Sequence, residues 1–331
     1  MIRKILIVIA VIIIMALIKA VTPGKVLSPG EVERIVDAPS LISYSASGTT
    51  TSIYRGKPLS LKVNVIHGKP NKNRIEYLTE PLKGVVVIDD GKQTWRCDPK
   101  LHSTVSMESG QGLELGLFLK NHRVEQVGSE KIAGRPTSVL LVKTTSGQVK
   151  KRLWVDATTS VILRWEDYDA RGKVHSSTRF DSIKYTNNTS SYKQLLSSSS
   201  SAFARPSGIR CLEGPGKAMS RQDLSKAVGF AVKTPSYVPK GYRPDGYRLY
   251  DCPCGCGHES AYIRYTNGLE SISVFETRAD SGCMKSGKCD ARMGKCLVRN
   301  QLALTTKDGV TFVVLGDLKA RTLRRVTESI R

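Results

Sequence analysis

Short turns recur through the first half of the chain at spacings that only antiparallel strands can use. Asp89-Asp90-Gly91, Ser146-Gly147, Asp156-Ala157-Thr158-Thr159 and Asp169-Ala170-Arg171-Gly172 each separate apolar runs. A parallel pair would need a crossover of a dozen or more residues instead. Leu59, Leu61, Val63 and Val65 alternate with Ser60, Lys62 and Asn64, the period of a strand with one buried face. Further strands are expected at 74–78, 84–88, 94–97, 138–144, 151–155, 161–168 and 174–183. Two helices interrupt this meander. Ser28-Pro29-Gly30-Glu31 supplies a hydroxyl cap, a proline at the first helical position and an acid at N3, with Val32, Ile35 and Val36 as the apolar face. The second helix is expected at 112–119.

Composition changes at Asn187. Residues 186–208 hold five consecutive serines, Ser197 to Ser201, followed by Pro206-Ser207-Gly208. Such a stretch has little apolar surface to bury and reads as a linker. It separates a first unit at 30–185 from a second at 209–331. Ser220 begins a capped helix carrying Leu224, Ala227 and Val228. Asn267-Gly268 joins 261–265 to 270–277, and Lys307-Asp308-Gly309 joins 301–306 to 310–315, both hairpin signals. Asp317 is expected to cap a final helix with Leu323, Val326 and Ile330 on one face. The fold class is therefore α+β and β-rich, in two units, as a chain of 331 residues makes reasonable.

The N-terminus reads Met1-Ile2-Arg3-Lys4, then is apolar from Ile5 to Ile18 and closes with Lys19. That is the anatomy of an export signal in residues 1–20, compatible with a cleaved leader or a retained anchor. The expected location is the periplasmic or extracytoplasmic face of a membrane. Net charge is +22, from 51 basic and 29 acidic residues. The excess is spread over both units: 24 basic against 17 acidic residues at 30–185, and 21 against 12 at 209–331. Without a recognition helix or finger spacing this points away from nucleic acid and toward an anionic membrane surface.

Six of the eight cysteines lie between Cys252 and Cys296, while Cys97 and Cys211 stand apart. Cys252, Cys254, Cys256 and His258 occupy alternate positions, and Cys283, Cys289 and Cys296 follow in a Gly/Lys-rich stretch. In an oxidising compartment such a cluster reads first as disulfides stapling a loop. The alternatives are a zinc site, against which the one-residue spacing counts, and thiol redox chemistry. No other cofactor is expected. Hydrolase, metalloprotease and phosphate-loop motifs are missing from the sequence, and no catalytic residue is assigned. Trp154 and Trp165, on neighbouring strands, are expected either in a core or lining an apolar groove with Leu163, Val63 and Val65.

Ile132-Ala133-Gly134-Arg135-Pro136, Leu153-Trp154-Val155-Asp156, Leu163-Arg164-Trp165 and Asp169-Ala170-Arg171-Gly172-Lys173 follow one another in an order that resembles the MucB/RseB family. The second unit is similar to that family's C-terminal domain through 235–242, 269–275 and 313–317. The cysteine cluster departs from this likeness. The resemblance implies a LolA/LolB-like half-open antiparallel β-barrel with helices, followed by a smaller α+β domain. It also implies a non-enzymatic negative regulator of an envelope-stress sigma factor. The implied partners are a membrane anti-sigma factor ectodomain and acyl chains of lipid or lipoprotein. A lipid or lipoprotein carrier is the runner-up, and a metal- or thiol-dependent enzyme at the cysteine cluster is the third reading.

Overall fold

The computed structural model describes residues 24–54, 57–91, 93–99, 113–186, 203–204, 206, 208–209, 211–213, 216–251, 259–279 and 301–331. In chain order the first domain contains β1 (Lys25–Val26), α1 (Pro29–Leu41), β2 (Ser43–Tyr54), β3 (Lys57–Gly68), β4 (Lys72–Tyr77), β5 (Val86–Asp89) and β6 (Thr94–Cys97). It continues with α2 (Leu115–Asn121), β7 (His122–Ile132), β8 (Arg135–Thr144), β9 (Val149–Asp156), β10 (Ile162–Tyr168), β11 (Val174–Thr186) and β12 (Cys211–Glu213). The second domain contains α3 (Arg221–Val228), β13 (Arg243–Asp251), β14 (Glu259–Thr266), β15 (Ser271–Arg278), β16 (Gln301–Lys307), β17 (Val310–Gly316) and α4 (Ala320–Glu328). Among the described residues no helix is long and apolar enough to cross a membrane. The apolar run at 5–18 and the serine tract lie outside them.

All pairings are antiparallel. The first sheet has the order β1-β7-β8-β9-β10-β11-β2-β3-β4-β5-β6-β12 and does not close, since β1 and β12 stand at opposite edges. This is the half-open architecture that the resemblance implies. The alternation in β3 is realised, with Leu61, Val63, Val65 and His67 buried and Ser60, Lys62 and Asn64 exposed. Gly48 on β2 faces the register shift of β11 between Phe180 and Ser182. A Cβ at Gly48 would stand 2.3 Å from the Arg179 carbonyl oxygen, so the bulge and the glycine require each other.

Helix α1 starts as its sequence dictates. Glu31 N–H donates to Ser28 Oγ, and the Glu31 carboxylate accepts from Ser28 N–H at 2.8 Å, a reciprocal box. Ser28→Ala is expected to cost about 1 kcal/mol, read as a lower urea midpoint; an unchanged midpoint would make the cap dispensable. The far end of α1 is tied down by His67, whose Nε2 donates to the Pro39 carbonyl at 2.6 Å.

Two expectations need correction. Helix α4 is not capped by Asp317: Lys319 holds the cap position and makes no side-chain cap hydrogen bond. Asp317 lies two residues too early, so the final turn begins beyond its reach. Residues 211–213, counted with the second domain from the sequence, form β12 and pair with β6 of the first sheet. The physical reason is the disulfide between Cys97 and Cys211, directly opposite each other in that pairing. Beneath it Val86, Ile88 and Cys97 pack with Trp95, Phe203, Ile209 and Cys211.

The second domain is a five-stranded sheet, β13-β14-β15-β17-β16. On one face Leu224 of α3, Leu323 and Val326 of α4, and Ile330 beyond the end of α4 pack against Ala261, Ile263, Ile272, Val274, Phe312 and Val314. Ile330 bridges to Pro235 instead of continuing the expected helix face. Tyr262 and Phe275 stack on the opposite face, ring centroids 4.9 Å apart.

Candidate functional site

Two places concentrate organised chemistry: the apolar face of the first sheet, and the junction where the two domains meet. At the first, Val63, Val65 and Leu163 share an apolar cluster with Ala46, Trp154, Phe180, Ala38 of α1 and Ile42, the residue that follows that helix. Trp165 packs against this cluster and meets Phe180 edge-on at 6.1 Å. Leu163 is 0% and Val63 3% exposed. Leu163, Val63 and Val65 are thus buried core side chains, while Trp165 keeps partial exposure.

Both tryptophans belong to this one cluster, Trp154 as a buried member and Trp165 packed against it, although they lie on opposite sides of the local strand pairing. Register pairs Trp154 with Arg164 and Trp165 with Leu153, so the indoles leave opposite faces of the β9–β10 ladder. Trp154 is buried and polar-clamped. Its Nε1 donates to Glu130 Oε2 at 2.6 Å, while the Arg164 and Arg152 guanidinium groups lie 4.1 and 5.0 Å from its ring centroid. Nearby, burial alone would raise the Asp156 carboxyl. Its bonds with Arg135, the Thr158 and Thr159 N–H groups and Tyr185 outweigh burial and hold it low. Tyr185 is pushed up to about 12, mainly by burial. This network ties β8, β9 and β11 together through Arg135, Asp156 and Tyr185.

The junction is built by the β14–β15 turn, Asn267 to Glu270, set against α2 and β9. Lys150 Nζ lies 2.7 Å from Glu270 Oε1, and both side chains are largely buried. The second carboxylate oxygen of Glu270 accepts from Asn267 Nδ2 at 3.2 Å and from the Tyr242 hydroxyl at 3.4 Å. Burial drives the Tyr242 hydroxyl well above its ordinary range. From the other side Asn121 Nδ2 reaches the carbonyls of Gly241 and Asn267, each at 3.1 Å. Gly268 has φ of +91°, and a Cβ there would lie 2.4 Å from Phe118 N. Only glycine allows that approach. Leu269 inserts into the cluster formed by Val32, Phe118, Val124, Leu140, Val142 and Val155.

Charged neighbours complete the junction. Arg243 pairs with Glu114, and His175 Nδ1 stands 4.0 Å from Asp317, whose pKa burial raises. His122 stacks on Phe118 and donates from Nδ1 to the Phe118 carbonyl, and burial lowers its pKa. The sequence marks Val32 as part of a helix face, Asn267-Gly268 as a turn, Asp317 as a cap, and Gly241, Tyr242, Leu269 and Glu270 only as parts of family-like stretches; it assigns none of them to an interface. Cys252, Cys254, Cys256, His258, Cys283, Cys289 and Cys296 lie outside the described residues. Among those described, no group of three or more His, Cys, Asp or Glu side chains could hold a metal ion.

An open antiparallel sheet covered by helices and joined to a second α+β domain is the two-domain fold of MucB. Solved MucB structures share it across nearly the whole chain. MucB in the Pseudomonas aeruginosa MucA/MucB complex superposes with a TM-score of 0.58 at 15% identity, covering 92% of this chain and 98% of that one. A MucB crystal structure gives 0.57 at 18%, covering 91% and 96%. MucB in complex with MucA(peri) gives 0.54 at 14%, covering 92% and 98%. No family model matches the chain, and no curated protein sequence does.

Proposed function

We propose that this protein is an extracytoplasmic regulator that binds the outer segment of a membrane-bound anti-sigma protein and responds to acyl-chain lipid through its first sheet. The observation that carries this reading is that both domains, in the same order, have the fold of MucB, whose solved structures include complexes with MucA. The export signal read in residues 1–20 supports the compartment. Binding of this kind needs no catalytic residue.

In this reading α1 links the lipid-responsive cluster to the domain junction. Helix α1 belongs to both clusters. Its C-terminal half, through Ala38, and Ile42 just beyond it pack with Val63, Val65, Leu163 and Trp165. Its N-terminal half, through Val32, Ile35 and Val36, packs with Phe118 and with Leu269 of the second domain. An acyl chain entering beneath Ala38 would push on the element that also seats the junction. It shifts the domain arrangement only to the extent that it binds one arrangement more tightly.

The experiment is a pull-down of the candidate anti-sigma ectodomain by the full chain, with and without lipid. Retention without lipid and release with it is the expected pattern. Lipid extraction from membranes with no ectodomain binding under either condition would instead make the protein a carrier.

A further inference from the structure

We infer that the outward face of α4 is an electrostatic docking surface for an anionic phospholipid bilayer. The inference is independent of the regulatory reading. Lys319, Arg321, Arg324, Arg325 and Arg331 are all exposed. Positions 321, 324 and 325, together with Glu328, fall on one stripe by helical spacing. Glu328 is the only acid on that stripe. Arg325 lies over the Tyr237 ring at 3.8 Å. Among the described residues Lys319, Arg321, Arg324 and Arg331 take part in no ion pair.

The helix accepts a local penalty for this pattern. Its cap position is a lysine without a cap hydrogen bond, and its first turn carries no acid. A helix N-terminus is partially positive, so Lys319 and Arg321 are placed where cations destabilise. A charge pattern that contradicts the local preference without any partner inside the fold points outward.

The surface offers charge and little else. The apolar side chains Leu323 and Val326 of α4, with Ile330 beyond its end, are consumed by the domain's own core. A protein partner would want a dehydrated apolar centre with aromatic anchors. A bilayer of anionic headgroups, flat and laterally mobile, needs only the cations. Each basic side chain near such a surface contributes about 1 kcal/mol, or roughly fivefold in partition.

The test is sedimentation of the full chain with vesicles of phosphatidylcholine alone or mixed with phosphatidylglycerol. The apolar run at 5–18 can bind both, so the readout is the excess retained on the anionic vesicles. That excess should vanish at high salt, and Arg321→Glu with Arg324→Glu should lower it about 30-fold or more. A control with the same net charge carries Arg179→Glu and Lys184→Glu, both exposed on the first sheet, and should lose far less. Thermal unfolding guards against misfolding, because an acid at 321 should support the helix. Equal retention on both vesicle types, or equal losses for the two double variants, would overturn the assignment. So would loss of anti-sigma ectodomain binding in Arg321→Glu/Arg324→Glu with vesicle binding intact, which would mark α4 as a protein surface.

Discussion

Lys150→Ala should weaken the seating of the second domain on the first by about 3–5 kcal/mol, because it leaves Glu270 as a buried carboxylate stripped of its cation. Two hydrogen bonds remain to Glu270, from Asn267 and Tyr242, and neither brings positive charge. Replacing both partners, Lys150→Met with Glu270→Gln, should recover most of the loss, since two neutral side chains avoid the desolvation of an unpaired ion. Amide hydrogen exchange at the junction reads the effect. Phe118 and Gly268 should exchange faster in Lys150→Ala, and near the normal rate in the double variant. Gly268→Ala gives an independent check, because its Cβ would strike the Phe118 backbone and cost about 1–3 kcal/mol in overpacking alone. Unchanged exchange in both Lys150→Ala and Gly268→Ala would show that the domains are held elsewhere. If α1 couples the apolar cluster to this junction, the same variants should alter how strongly lipid affects partner binding.

Local features of this fold were legible because they are written in adjacent residues. The capping box at Ser28, the alternation of β3 and the Asn267-Gly268 hairpin depend on neighbours within a few positions. So does β6, expected at 94–97 and found at Thr94–Cys97. The signal of β2 is the weakest, because Ser43 to Tyr54 is rich in serine and threonine and carries little apolar contrast. The faces of Trp154 and Trp165 were not legible. Deciding them needs the register of β9 against β10, which shifts between Ile162 and Arg164. The junction was hidden for a plainer reason. Lys150 and Glu270, and likewise Cys97 and Cys211, are joined only after more than a hundred intervening residues have folded, and no periodicity records such a pair.

Glu276 is where local pattern and burial conflict, and it makes the stability of the second domain depend on pH. It continues the inward alternation of Ile272 and Val274 on β15, between Ala261 of β14 and Phe312 of β17. Its Oε2 accepts from Lys233 N–H at 3.0 Å, and its Oε1 is buried with no hydrogen-bond partner. Burial raises its pKa from 4.5 to about 7, against the opposing pull of the Lys233 N–H, Arg221 and Lys233 charges. The folded state therefore keeps a proton that the unfolded chain has released. Stability is full below pH 4.5, falls as pH rises toward 7, and is then flat, with a total loss of about 3 kcal/mol. Glu276→Gln mimics the protonated acid: its carbonyl can accept from Lys233 while an amide replaces the unpaired hydroxyl. It should unfold at a higher urea midpoint than the parent at pH 8 and at nearly the same midpoint at pH 5. His122, with its pKa lowered by burial, loses stability in the opposite direction as pH falls, and Asp317 follows the direction of Glu276. Both contribute equally to the two proteins, so the difference between them isolates position 276. A parent protein equally stable at pH 5 and 8, matched at both by Glu276→Gln, would mean that the buried carboxyl finds solvent or a cation in solution.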